Sequence, residues 1–99
     1  MTNERFEELL DEQLELCKKV LGAKAAEYAT EDRLHNFKVA GAFEETTPED
    51  ALFGMMAKHL VSVKDMCKSG RKYPVLLWME KITDSINYLL LLNALVRDE

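Results

Sequence analysis

One stretch of this chain, VLLWMEKITDSINYLLLLNALV, is apolar on nearly every side when wound as a helix. Such a helix is buried on several sides or shared with another subunit. Asn87 and Asn93 interrupt its most apolar part, from Ile86 to Val96, and that part is too short to span a bilayer. Pro74 stands where a helix start tolerates it, so the pattern predicts a helix over 74–97. No segment of any length alternates with the period of a strand. The expectation is an all-α fold, and everything else must pack around this one rod.

Three further helices fit the periodicity. Phe6, Leu10, Leu14, Cys17 and Leu21 recur at spacings of three and four, which predicts a helix over 3–22 with Asn3 as its cap. A shorter helix is predicted over 31–41, capped by Thr30, with Leu34, Phe37 and Val39 or Ala40 as its buried side. Thr47-Pro48-Glu49-Asp50 gives a third helix, over 48–68, its clearest start signal: a capping hydroxyl, a proline at the first turn and two acids. Leu52, Met56, His59 or Leu60, Val63 and Cys67 form its apolar stripe, and Gly70 suits its C-terminal cap. Together these predict a single domain, residues 1–99, built as a four-helix bundle.

Charge and cysteine usage exclude several function classes. The net charge is −5, and residues 1–15 alone sum to −5, with six acids against Arg5. No basic face is left over to neutralise phosphates non-specifically, so a nucleic-acid partner is not expected. Cys17 and Cys67 are the only cysteines, too few for a disulfide framework or a cysteine zinc site. The acidic start has no apolar core segment of a signal peptide, and a cytoplasmic location without membrane attachment is expected.

Chemistry concentrates inside the apolar fourth helix. Glu80, Thr83, Asp84 and Asn87 share one face over two turns. Carboxylates buried there cost several kcal/mol, in order of magnitude, unless compensated. A divalent metal, a basic partner or a wet cleft would compensate them, and a solvated outer face is the plain alternative. Glu80 and Asp84, one turn apart, can share Mg²⁺ or Mn²⁺, which take oxygen ligands and keep waters. Asn87 favours a functional stripe, since exposed helix faces prefer Glu, Lys or Gln. On the third helix, Lys58, Ser62 and Asp65 form a second polar stripe, and Lys58 could neutralise a carboxylate or hold a phosphate. On the second, Asp32 and Asn36 face one cleft, and Arg33 could grip a phosphate or pair with a neighbouring acid. Both cysteines fall on apolar stripes and read as packing residues. Trp78 suits a subunit contact.

Several short motifs occur together over residues 20–95: Lys24-x-x-x-Tyr28, Asn36-Phe37, Thr47-Pro48-Glu49, Lys58, and Glu80-x-x-x-Asp84-x-x-x-Tyr88. In this the chain resembles small phage and prophage proteins related to MazG-like all-α NTP pyrophosphatases, in the branch associated with nucleotide modification. The resemblance implies a helical oligomer with an acid-lined cleft that holds Mg²⁺ around nucleotide phosphates, in the cytoplasm of a bacterial host. Carried onto this chain, Glu80 and Asp84 would hold the metal and serve as the catalytic acids. Lys58 and Arg33 would meet phosphate, while Asn36, Asn87 and Tyr88 would contact the rest of the substrate. The chain departs from the family at two places. Lys58, Ser62 and Asp65 stand where a Glu-x-x-Glu pair is usual, and Lys81 displaces the first acid of Glu-x-x-Asp.

Two functions of different classes follow. One is nucleotide binding, with Mg²⁺-dependent pyrophosphohydrolysis of a (d)NTP as its reaction. The other is a non-catalytic helical oligomer or adaptor for phage or host proteins. Both expect a homodimer or larger assembly, because the fourth helix carries more apolar surface than a small bundle covers.

Overall fold

A computed structural model describes residues 1–27 and 31–98. Among them the fold is all-α, with helices α1 (Asn3–Ala25), α2 (His35–Phe43), α3 (Pro48–Ser69) and α4 (Val75–Arg97). No described helix is long and apolar enough to cross a membrane.

The caps explain where each helix begins. α1 is capped by Thr2, whose hydroxyl accepts from the Arg5 amide at 3.1 Å, so the cap falls one residue before the expected Asn3. α1 also runs past Gly22 to Ala25, since nothing breaks its i→i+4 ladder there. α3 starts as its sequence dictates: Thr47 accepts from the Asp50 amide at 3.1 Å, Pro48 follows, and Gly70 ends the helix in the left-handed region at φ 69°.

α2 starts later and ends later than expected. Thr30, its anticipated cap, and Tyr28 lie outside the described residues. The Asp32 carboxylate accepts from the Leu34 amide at 3.0 Å, a local turn that competes with helix, and the regular helix begins only at His35. Asp32 also accepts from Lys38 Nζ at 2.7 Å, and the same ammonium reaches Asp98 at 2.8 Å. This bridge ties the entry of α2 to the C-terminal end of α4. Hydrogen bonds from Lys38 and then the Leu34 amide hold the Asp32 carboxyl below its usual range. Hydrogen bonds to Asp32 and Asp98 raise Lys38.

α4 is the central rod. α1 packs on one side of it and α3 on another, with α2 against α3. The core lies where α2, α3 and the C-terminal half of α4 meet: Leu34, Phe37, Leu52 and Leu95 are buried, with Met55, Tyr88, Leu91 and Leu92 against them. Gly41 lets α2 approach the start of α3, where a Cβ would stand 2.9 Å from the Pro48 nitrogen. Four expected core residues are not core. Cys67 is exposed, and Met66 beside it is the buried residue of that turn. Of the α1 stripe only Cys17 is buried, because α1 lies against α4 alone and the Phe6, Leu10 and Leu14 side chains stay exposed.

Candidate functional site

The polar stripe of α4 divides according to what packs beside it. Thr83 and Asn87 are buried, at 2% and 5% exposure. Asp84 is half-buried and Glu80 is exposed. Thr83 is satisfied, since Gln13 Nε2 donates to its Oγ1 at 2.9 Å and lies 3.4 Å from Cys17 Sγ. Asn87 is not: both its Nδ2 and its Oδ1 are buried without a hydrogen-bond partner in the protein. A buried amide in this state costs about 1–3 kcal/mol.

A cavity of about 180 Å³ opens beside Asn87. Lys24 of α1 and Arg33, just before α2, supply positive charge to its wall, and Asp84 supplies the negative. Asn36 and Asn87 add amides, while Leu21, Phe37, Met55, Tyr88 and Leu91 make the apolar remainder. The Arg33 guanidinium is oriented by donating to the Leu21 carbonyl near the end of α1, at 3.1 Å. Drug-sized pockets run to about 300–1,000 Å³. This one holds a single ring or a small polar group.

Next to it, a groove of about 470 Å³ runs between α1 and α4. Glu80 opens into this groove, and Lys24 and Asp84 line both spaces. Among the described residues no three His, Cys, Asp or Glu side chains cluster as a metal site. The carboxylates that border the two spaces are Glu80 and Asp84, one turn apart on α4. Two carboxylates suit Mg²⁺ where substrate phosphates and water complete the shell, since Mg²⁺ commonly takes only one or two protein carboxylates.

Of the residues singled out in the sequence, Arg33, Asn36, Asp84, Asn87 and Tyr88 come together at the cavity, and Glu80 lies in the adjoining groove. Lys58 is exposed on α3. It is His59, the next residue, that faces the acid: its Nδ1 is buried, without a hydrogen bond, 3.8 Å from Asp84 Oδ2. Its ring also lies 5.1 Å from that of Tyr88. The signal was the spacing, because His59 follows Leu52 by seven residues and Met56 by three, on the inward face of α3. Lys24 stood out in the sequence only as the first residue of the Lys24-x-x-x-Tyr28 motif.

No protein-family model matches the chain, and no curated protein or solved structure matches it either.

Proposed function

We propose that this chain is a MazG-like, phage-type protein that binds a nucleotide, with the Asn87 cavity as the base-side subsite. The orphaned amide of Asn87 carries this reading. A nucleobase edge presents neighbouring donors and acceptors, so it can satisfy both atoms of an amide at once. Phe37 and Tyr88 give the apolar wall that a ring needs, and Asn36 stands at the same wall. Lys24 and Arg33 supply charge for phosphate, with Lys58 as an outer cation on α3. Glu80 and Asp84 would hold Mg²⁺, which when bound neutralises phosphate oxygens and activates water. The turnover such a site would serve is pyrophosphohydrolysis of a (d)NTP. Homo-oligomeric assembly and a place in the cytoplasm of a bacterial host belong to the same reading.

Thermal denaturation with a panel of canonical and modified (d)NTPs and (d)NMPs, with and without Mg²⁺, tests binding, and pyrophosphate release tests turnover. At a hundredfold excess over Kd, one binding site stabilises by about 2.7 kcal/mol, a readily measured shift. Absence of stabilisation by every nucleotide would remove the proposal.

A non-catalytic oligomer or adaptor is the second reading, favoured by the many exposed large apolar residues on α1, α3 and α4. Glu80→Ala and Asp84→Ala separate the two. They should abolish nucleotide stabilisation under the first reading and leave assembly intact under the second.

A further inference from the structure

Asn87 is 5% exposed, and both polar atoms of its amide lack a partner in the protein. A ligand that satisfies them presents a donor and an acceptor side by side. Every nucleobase has such an edge, and asparagine pairs with adenine through one of them. Hydrogen bonding alone therefore does not choose between one ring and two. Space does. The cavity beside Asn87 holds about 180 Å³. An apolar cavity of about 150 Å³ takes one benzene molecule. Uracil and cytosine are rings of that size with small exocyclic groups, while a purine fuses a second ring onto the first. The difference, about 30 Å³, is the share of one water molecule in the liquid. That is room for substituents and not for another ring.

The wall of the cavity does not recede cheaply. Phe37 belongs to the buried core, and Met55, Tyr88 and Leu91 pack against that core. Pushing them back to admit a second ring means repacking Leu34, Leu52 and Leu95. We infer that the subsite selects pyrimidine nucleotides, with a single-ring base on the Asn87 amide and purines excluded by volume. The inference rests on the nucleotide reading above and adds to it the class of base. Turning the amide over exchanges its donor and acceptor, so the edges of uracil, thymine and cytosine are all accepted. Lys24 and Asp84 line both the cavity and the α1–α4 groove, and sugar and phosphates leave the cavity on that side.

The test is thermal denaturation of the full chain in Mg²⁺, titrated separately with dUTP, dTTP, dCTP, dATP and dGTP, which share one phosphate chain and differ in the base. The pyrimidine nucleotides should bind about 10- to 100-fold tighter than the purine ones, the range that overpacking by a fused ring produces. Leu91→Ala removes part of the wall and should tighten purine binding about tenfold, erasing most of that preference. Should Leu91→Ala lose helical content by circular dichroism, Met55→Ala widens the same cavity from α3. Purines that bind as tightly as pyrimidines, or more tightly, overturn the inference and leave nucleotide binding standing. Binding of no nucleotide at all removes both. A pyrimidine preference unchanged in the widened variants also overturns it, because cavity volume is then not what selects.

Discussion

Gln13 of α1 and Thr83 of α4, seventy residues apart, share a hydrogen bond of 2.9 Å across the interface between the two helices. Thr83 is buried and α1 has Cys17 as its one buried residue, so this bond helps to fix α1 on α4 alongside its partly buried apolar residues. Thr83→Val keeps the shape and removes the acceptor. A side-chain hydrogen bond of this kind contributes about 0.5–1.5 kcal/mol net, and Gln13 is partly exposed, so water can replace its partner. We expect urea denaturation to show a loss of about 1 kcal/mol with an unchanged m-value. A loss above about 3 kcal/mol would mean that Thr83 has a larger packing role than this bond.

One turn along, Asn87 makes the opposite prediction. Its amide is buried without a partner, so replacing it with an apolar residue of similar volume removes a desolvation cost. Asn87→Leu should raise the stability of the free protein by about 1–3 kcal/mol while abolishing nucleotide-induced stabilisation. A destabilised variant that still responds to nucleotide would show that the amide is satisfied in solution and that the cavity is not the base-side subsite.

These two residues show how the sequence could be read and where reading stopped. The existence and order of four helices were legible because apolar spacing and the Thr47-Pro48 start are local signals. The grouping of Glu80, Thr83, Asp84 and Asn87 on one face was legible for the same reason. Which of them is buried was not, because burial depends on where α1 lies, and one-dimensional periodicity does not encode that. The approach of His59 to Asp84 was hidden in the same way, because the two stand on different helices. The delayed start of α2 came from the Asp32 side chain, which serves the Leu34 amide and Lys38 together, a tertiary use of a residue that otherwise reads as a first-turn acid.

Gly41 gives a prediction in which two effects of opposite sign compete. Inside a helix, Gly→Ala should stabilise by about 0.5–1 kcal/mol through propensity. Here the added Cβ would meet the backbone of Thr47 and Pro48 at 2.9 Å, and backbone cannot rotate aside. Overpacking of this sort costs about 1–3 kcal/mol, so the clash wins. Gly41→Ala should be destabilised by roughly 1 kcal/mol in urea denaturation, the difference between the middle values of those two effects. A stabilised variant would mean that the α2–α3 turn is looser than its geometry indicates.

The Asp32–Lys38–Asp98 bridge sets a pH dependence whose sign can be worked out. Asp32 lies below its ordinary value of 3.8, so its contribution is fully present above pH 3.8 and is lost as pH falls through the lower folded value. Lys38 lies above 10.5, so its contribution is fully present below pH 10.5 and is lost as pH rises through the higher folded value. Lys38→Met removes the Lys38 contribution and the largest cause of the Asp32 one, leaving only the Leu34 amide on Asp32. The stability difference between wild type and Lys38→Met should be a plateau across neutral pH and shrink at both ends, below pH 3.8 and above pH 10.5. Because the bridge is exposed to solvent, the plateau should be small and should fall further at about 1 M salt, where the screening length is about 3 Å. Urea denaturation repeated across pH checks this. A difference that persists undiminished at pH 3 would assign the effect of Lys38 to its aliphatic stem rather than its charge.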